Sequence, residues 1–207
     1  MKSWSGVSSR QKIGLLGGTF DPPHWGHLWL GELARVQLGL DKVLFLPVGE
    51  PPHKIGQQIT AVSHRIQMIS LAIQDNPNFL LDTTDCQRPP PHSTVSLLPL
   101  LKTKYPEAQF WLLLGGDSLR DLPTWIEPDK LISLCRLAML PRPGVIIDWE
   151  QLATAVPLIK TVVDELTGPT LSLSGTALRT WLRAGNEATY LLPTAVSDYI
   201  QHHQLYL

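Results

Sequence analysis

The residues best suited to chemistry in this sequence form one run, G-G-T-F-D-P-P-H-W-G-H, at positions 17–27. A short apolar segment, 13–16, precedes the run, and a segment with apolar residues at helical spacing, 28–38, follows it. This order predicts a strand, a glycine turn and a helix that stops at Gly39. Such a turn directs backbone N–H groups and the positive end of a helix dipole at one place, where a phosphate commonly binds.

Two histidines add side-chain chemistry to this turn. His24 and His27 are three residues apart at the predicted start of the helix, so we expect their rings on one face. A phosphate bound over the turn would then meet two imidazoles as well as backbone amides. The run matches neither G-x-G-x-x-G nor a Walker A loop. The alternative interpretation is that the histidines cap the helix or belong to the core.

The composition predicts an ordinary soluble, cytoplasmic protein. Of 207 residues, 43% are hydrophobic and 17% are charged, with a formal net charge of −1. This near-neutral balance gives no electrostatic reason to expect a nucleic-acid or membrane partner, and no run reaches the roughly 20 apolar residues of a transmembrane helix. Cys86 and Cys135 lack metal-site spacing, so we expect two reduced thiols.

Strand and helix patterns alternate along the chain, which predicts a Rossmann-like α/β fold, an open parallel sheet with helices on both faces. Further strands are predicted at 42–48, 79–82, 109–114, 136–140 and 161–166, and the last helix at 194–203. We expect one domain over residues 12–207, with a C-terminal helical portion, after an N-terminal extension over residues 1–11.

A second candidate phosphate site is the loop G-E-P-P-H-K that ends at Lys54. It follows the second predicted strand, and ligands of open α/β sheets bind at the carboxyl ends of strands. The Lys54 ammonium offers a point charge to a phosphate, although a solvated lysine is the alternative. Ser63 is predicted to cap the next helix. In its first turn Arg65 either reaches a phosphate or is solvated or ion-paired.

Polar residues also follow the fourth and fifth predicted strands. Asp117 lies in the turn G-G-D-S and is a candidate acceptor for ribose hydroxyls, or else the N-cap of a short helix. Trp125 is either a stacking platform for a flat ring or a core residue. Arg142 follows the fifth strand, again at the ligand edge.

A last candidate anion site is the segment L-S-G-T-A-L-R, 173–179, which opens a predicted helix. Ser174 and Thr176 place hydroxyls at the positive helix end, and Arg179 lies one turn further on. The alternative is that Ser174 serves only as an N-cap. The predicted buried face of this helix consists of Leu178, Trp181 and Leu182.

Taken in order, these motifs resemble those of a known superfamily. T-F-D-P followed by H-W-G-H resembles the signature of the nucleotidyltransferases, in which the two histidines stabilise the α-phosphate of a nucleoside triphosphate. P-P-H-K and L-S-G-T-A-L-R resemble that superfamily's other phosphate-binding motifs. With G-G-D-S-L, the downstream tryptophan and the ending L-L-P-x-x-V-x-x-Y-I-x-x-H-x-L-Y, residues 12–207 resemble the bacterial nicotinate mononucleotide adenylyltransferase family.

The resemblance implies adenylyl transfer from ATP to nicotinate mononucleotide, giving deamido-NAD and pyrophosphate, with Mg²⁺ carried mainly by the ATP phosphates rather than by a protein metal cluster. It implies that the catalytic residues are His24, His27, Lys54 and Arg179. It implies ATP and phosphate contacts at Gly17, Gly18, Thr19, Phe20, Ser174, Thr176 and Arg142, and ribose and base contacts at Asp117, Gly115, Trp125 and Thr94.

Several positions depart from the family pattern. Where R-x-G-x-S-Y-T is common, this chain has R-P-P-P-H-S-T, with Pro90, His92 and Ser93 at the changed positions, and Ile126 replaces an aromatic residue after Trp125. Gly175 replaces a serine, which leaves the backbone amides in place. Because the other changes lie where the family recognises the base, nicotinamide mononucleotide is an alternative acceptor. A nucleotide-binding sensor without catalysis is the second alternative.

Overall fold

A computed structural model describes residues 10–50 and 59–206, which form a six-stranded sheet. The strands are β1 (Lys12–Gly18), β2 (Lys42–Pro47), β3 (Phe79–Leu81), β4 (Gln109–Gly115), β5 (Arg136–Leu140) and β6 (Val163–Glu165). Each neighbouring pair is parallel, in the order β3-β2-β1-β4-β5-β6. This is the strand order of a doubly wound α/β sheet, so the predicted fold class is confirmed.

Helices cover both faces of the sheet. They are α1 (Trp25–Leu38), α2 (Val62–Ile73), α3 (Thr84–Gln87), α4 (Thr94–Lys104), α5 (Gly116–Arg120), α6 (Pro128–Leu134), α7 (Trp149–Ala155), α8 (Ile159–Val162), α9 (Gly175–Arg183) and α10 (Thr194–His202). Helices α1 and α2 pack on one face, and α4, α6 and α7 pack on the other. No helix in the described ranges is long and apolar enough to span a membrane.

Alternating side chains of the strands supply both cores. In β1, Ile13 and Leu15 belong to the cluster under α4 and α6, whereas Leu16 belongs to the cluster under α1 and α2. A strand buried on both faces needs apolar residues at nearly every position, which explains the continuous apolar runs in the sequence. A third cluster joins α9 and α10 to Met68 of α2.

The first helix ends as predicted. Gly39 adopts a left-handed conformation with φ of 63°, and its N–H donates to the carbonyl of Arg35. Glycine reaches this region without the steric cost of a Cβ atom, so it is the usual residue just after a helix.

Four local predictions are wrong. Ser63 lies inside α2, because the helix already begins at Val62 with Ala61 as its N-cap. The last strand was predicted over 161–166 but covers only Val163–Glu165, because residues 159–162 form a helical turn. Asp117 is the second residue of α5, whose N-cap is Gly115. Trp181 is 48% exposed, with its indole N–H donating to the carbonyl of Glu187.

The topology creates a crevice at the carboxyl edge of the sheet. The chain leaves β1 for β2 on one side and enters β4, on the other side of β1, only after β3. The connections that follow β1 and β4 therefore run to opposite sides and leave a crevice between these two strands. Ligands of open α/β sheets commonly bind where the strand order reverses in this way. Leu15 pairs with Leu112, so Gly18 and Gly115 lie at the same level, three residues further along.

Arg65 ties together the loops on this edge. It is 1% exposed, and its guanidinium donates to the carbonyls of Thr19, Val48, Gly49 and Thr60 at 2.8 to 3.0 Å. Burial lowers the pKa of the guanidinium from its usual value. The predictions of a phosphate contact or of a solvated or ion-paired arginine are therefore wrong, because backbone carbonyls occupy this side chain.

Replacing Arg65 by leucine is expected to lower the free energy of unfolding by about 3 kcal/mol or more, because four carbonyls on two loops lose a charged donor. Urea unfolding monitored by circular dichroism measures the change. Arg183→Leu is the matched control, since Arg183 is exposed and is expected to change stability by less than about 0.5 kcal/mol. Equal stabilities of the two variants would contradict the prediction.

Candidate nucleotide-binding site

A cavity of about 280 Å³ lies at the carboxyl edge of β1, β2 and β4. Many residues that the sequence singled out line its wall, namely Gly17, Gly18, His27, Thr94, Gly115, Asp117, Trp125 and Arg142. They come from five separate segments of the chain, and the parallel order of the strands brings those segments to one edge.

The two histidines stack on each other at the entrance to α1. Their ring centroids lie 3.8 Å apart with an interplanar angle of 27°. His24 is the N-cap residue of α1, and its backbone N–H donates to His27 Nδ1 at 3.2 Å. Because Nδ1 of a neutral His27 accepts this bond, its proton resides on Nε2, which makes that atom a donor. Capping and ligand binding are thus compatible roles for this pair.

His24 is held in its uncharged form. Its side chain is buried, and burial, followed by the positive charge of Arg142, lowers the pKa of His24 from 6.5 to about 4. Nδ1 of His24 has no hydrogen-bond partner among the described residues. A buried nitrogen without a partner costs free energy unless a ligand or water satisfies it. The ring of Phe20, 4.8 Å from that of His27, packs behind the pair.

A buried carboxylate, Asp21, fixes the turn that carries the histidines. Its Oδ1 accepts the hydroxyl of Tyr206 at 2.6 Å, and its Oδ2 accepts the backbone N–H of Thr60 at 3.4 Å. The Asp21 carbonyl accepts Arg179 Nη1 at 2.7 Å. Burial and the neighbouring carboxylate raise the pKa of Tyr206 well above its usual value, so the hydroxyl keeps its proton.

The beginning of α9 packs against this turn. Ser174 caps the helix by accepting the Ala177 N–H at 3.2 Å, and Thr176 Oγ1 accepts Arg179 Nη2 at 3.3 Å. Arg179 and Asp21 are 158 positions apart in sequence and in direct contact. The hydroxyl-bearing helix end and the histidine turn therefore adjoin each other, although neither the α9 residues nor His24 line the cavity wall itself.

The opposite side of the site follows β4. Asp117 Oδ2 accepts Arg142 Nη1 at 3.3 Å, while Asp117 Oδ1 is buried without a hydrogen-bond partner in the described part of the chain. An unpartnered carboxylate oxygen beside a cavity is ready to accept a ligand hydroxyl. Trp125 is half-buried; it packs on the core and also lines the cavity.

The loop before α4 closes the remaining wall. Asp85 Oδ1 accepts Arg88 Nε at 2.7 Å, and Arg88 also donates to the carbonyls of Pro91 and Ser93. These bonds hold the proline-rich loop in one shape. Asp85, His92, Ser93 and Thr94 all line the cavity.

The structure adds residues that the motifs did not identify. Asp21, Tyr206 and Asp85 were not among the predicted site residues; the signal for Asp21 was its place inside T-F-D-P, and for Tyr206 its place in the closing pattern. Lys54, in contrast, lies outside the described residues. Within residues 10–50 and 59–206, no group of three or more His, Cys, Asp or Glu is arranged to hold a metal ion.

The lowered pKa of His24 predicts a pH-dependent stability. Between about 4 and 6.5 the unfolded chain binds this proton more readily, so stability is lost as the pH falls through that window. The loss is at most about 3 kcal/mol, at roughly 1.4 kcal/mol per pKa unit. His24→Asn is expected to lose less stability than the unaltered chain between about pH 7 and pH 4.5 in urea unfolding. Parallel losses would refute this assignment.

The Tyr206 hydroxyl is expected to contribute about 1.5 to 3 kcal/mol, because it bonds a buried carboxylate. Tyr206→Phe removes only that hydroxyl, and thermal unfolding measures the change. Tyr190→Phe is the control, since Tyr190 is 93% exposed. If both variants unfold at the temperature of the unaltered chain, the hydroxyl contributes nothing to stability.

Comparison with known proteins matches this chain to a family. The cytidylyltransferase-like family model matches residues 15–181. A probable nicotinate-nucleotide adenylyltransferase of Thermomicrobium roseum is 41% identical over 195 residues, covering 94% of this chain and 91% of the relative. The nicotinate-nucleotide adenylyltransferase of Bacillus subtilis is 36% identical over 196 residues, covering 95% and 98%.

Solved structures match the fold. Nicotinic acid mononucleotide adenylyltransferase of Plasmodium falciparum, in complexes with APC and with NaAD, superimposes with a TM-score of 0.76 at 21% identity, covering 95% of this chain and 97% of that one. At this identity the likeness concerns the fold. The sequence relatives, matched over nearly their whole length, define the family more closely. The chain belongs to the nicotinate-nucleotide adenylyltransferase family, within the cytidylyltransferase-like proteins.

Proposed function

We propose that this protein transfers the adenylyl group of ATP to nicotinate mononucleotide, releasing pyrophosphate and forming deamido-NAD, a step of NAD biosynthesis. The family supports the reaction, because relatives with 36% to 42% identity carry the name of this activity. The observation that carries the proposal for this chain is the contact of the stacked histidines' turn with the start of α9, through the Asp21–Arg179 bond.

The reaction needs no protein nucleophile. A phosphate oxygen of the mononucleotide attacks the α-phosphorus of ATP, a new P–O bond forms, and the bond from the α-phosphorus to the β-phosphate oxygen breaks. Pyrophosphate leaves with the bonding electrons. The attacking group is already anionic, so positioning and charge neutralisation provide the catalysis.

The residues divide into two groups around that phosphorus. In this proposal, His27 donates from Nε2 and His24 supplies a second imidazole to the α-phosphate, whose charge raises the proton affinity of His24 from its low resting value. Arg179 and Lys54 neutralise the departing phosphates. The remaining phosphate contacts come from Gly17, Gly18, Thr19, Phe20, Ser174, Thr176 and Arg142, with backbone groups acting at Phe20, whose side chain is buried.

The other wall binds the sugar and bases. Asp117 accepts ribose hydroxyls with its unpartnered Oδ1, while Arg142 keeps the carboxylate in place. Gly115 leaves room for this pair, since a side chain there would lie 2.6 Å from Asp117 Oδ1. Trp125 presents its ring to the pyridine, and Thr94 lines the same cavity at the start of α4.

We also propose Mg²⁺ as the cofactor. A cation carried by the ATP phosphates fits the donor set, because such a cation keeps most of its ligands as phosphate oxygens and water and needs only one or two protein ligands. When bound, it neutralises negative charge on the triphosphate.

His24→Ala is expected to lower turnover by about a hundredfold or more, the usual cost of removing one transition-state donor. Pyrophosphate release from ATP and nicotinate mononucleotide measures the rate. His202→Ala is a control, since His202 is exposed at the end of α10. Near-normal turnover of His24→Ala would remove His24 from the mechanism.

The same assay separates the enzyme from a nucleotide-binding sensor on this fold. A sensor binds ATP yet releases no pyrophosphate with nicotinate mononucleotide or with nicotinamide mononucleotide. An enzyme releases it with at least one of them. Retention of His24, His27, Lys54 and Arg179 supports the enzyme.

A further inference from the structure

A buried tyrosine near the end of the chain contacts the candidate site without lining its cavity. Tyr206 is 8% exposed and packs in the cluster that joins α9 and α10 to α2, a cluster that includes Leu178, the neighbour of Arg179. Its hydroxyl donates to Asp21 Oδ1 at 2.6 Å. The chemistry proposed above gives this hydroxyl no role.

The backbone is strained on both sides of this hydrogen bond. Tyr206 has a φ of 67°, and Phe20, directly before Asp21, has a φ of 51°. Neither residue is glycine, so each left-handed conformation costs free energy. Such conformations persist where surrounding contacts hold them, and they cluster at functional sites. The bond therefore joins two segments that are each held in an unfavourable conformation.

Arg179 has two kinds of acceptor within reach on Asp21. Its Nη1 donates to the Asp21 carbonyl at 2.7 Å and lies 3.9 Å from Asp21 Oδ2. A carboxylate is the stronger acceptor, and it frequently binds a guanidinium through two parallel hydrogen bonds. Here the Tyr206 hydroxyl occupies Oδ1, and the Thr60 N–H donates to Oδ2 at 3.4 Å. The carboxylate is thus already engaged, and Arg179 bonds the carbonyl instead.

We propose that Tyr206 is a positioning residue for ATP: its hydroxyl occupies Asp21 Oδ1, which prevents Arg179 from forming a bidentate ion pair with that carboxylate and leaves its charge available to the ATP phosphates. This inference rests on the proposed function, in which Arg179 neutralises those phosphates. Without the hydroxyl, a buried carboxylate oxygen lacks its donor, which is costly unless another donor replaces it. Arg179, already 3.9 Å from the carboxylate, then pairs with Asp21 and is withdrawn from the phosphates.

Calorimetric titration with ATP, in the absence of a mononucleotide, tests this role. Tyr206→Phe is expected to raise the Kd of ATP by about tenfold, because Arg179 exchanges a charge-assisted phosphate contact for one with Asp21. The fitted stoichiometry gives the fraction of folded protein, so a loss of stability alone does not change the Kd. Tyr190→Phe, at a position that is 93% exposed, leaves the Kd unchanged.

A second substitution separates this role from a purely structural one. In the double variant Tyr206→Phe with Asp21→Asn, the amide at position 21 has no charge with which to hold Arg179. The double variant is therefore expected to bind ATP about threefold or more tightly than Tyr206→Phe alone. A hydroxyl that only stabilises the fold predicts no such rescue, since a second change in the same buried network adds to the damage.

An unchanged Kd in Tyr206→Phe overturns the inference, and so does a double variant that binds ATP no better than Tyr206→Phe. In steady-state kinetics, Tyr206→Phe is expected to raise KM for ATP and to change KM for nicotinate mononucleotide by less than about twofold, because Asp117 and Trp125 lie on the other wall. Equal increases in both KM values also overturn it. If the unaltered chain binds ATP but releases no pyrophosphate with either mononucleotide, the proposed function fails, while the two titrations still decide the role of Tyr206.

Discussion

The site depends on a buried carboxylate, Asp21, whose two oxygens both accept hydrogen bonds. Asp21 accepts the Tyr206 hydroxyl and the Thr60 amide, and its own carbonyl accepts Arg179. A charged group removed from water is stable only when hydrogen bonds replace its hydration. The three segments that supply these bonds are therefore held to the turn after β1, and the histidine turn and α9 meet as a consequence.

Burial also sets the electrostatics of the histidine pair. Burial makes a charged imidazole at position 24 costly, and the positive charge of Arg142 adds to that cost, so the pKa of His24 falls to about 4. The resting site therefore combines the uncharged imidazole of His24 with two arginines, Arg142 beside the cavity and Arg179 on the carbonyl of Asp21. In the proposed reaction, the triphosphate brings negative charge to these cationic and donor groups. Preorganised donors of this kind need no rearrangement when charge develops at the phosphorus.

The sequence was informative where local physics decides the structure. The strand, turn and helix around His24, the glycine stop at Gly39 and the fifth strand followed from apolar periodicity and end signals. Arg65 could not be predicted, because its partners are carbonyls brought close only by the parallel sheet. The predicted burial of Trp181 is wrong for a related reason. Helical spacing identifies which residues share a face, but it does not show what packs against that face.

In the candidate site, too, the sequence predicted the features that depend on local signals and missed those that depend on tertiary contacts. Motifs identified the cavity residues after β1 and β4, since glycine turns at strand ends have a recognisable composition. The partners that hold those residues, Asp21 with Tyr206 and Asp85 with Arg88, come from tertiary contacts or from loop shape. The proline-rich loop shows the limit of prediction from sequence. Its sequence departs from the family pattern, but the packing of His92 against Gly49 is seen only in the structure.

The bond between Asp21 and Tyr206 has a consequence for biosynthesis. The two residues are separated by 185 positions. The turn at Asp21 therefore leaves the ribosome long before Tyr206, whose hydroxyl donates to it, has been synthesised. A nascent chain that stops short of Tyr206 carries the histidines but leaves a carboxylate oxygen without its donor. A translation product that ends before Tyr206 therefore contains every strand of the sheet but lacks the hydroxyl that holds the turn before α1.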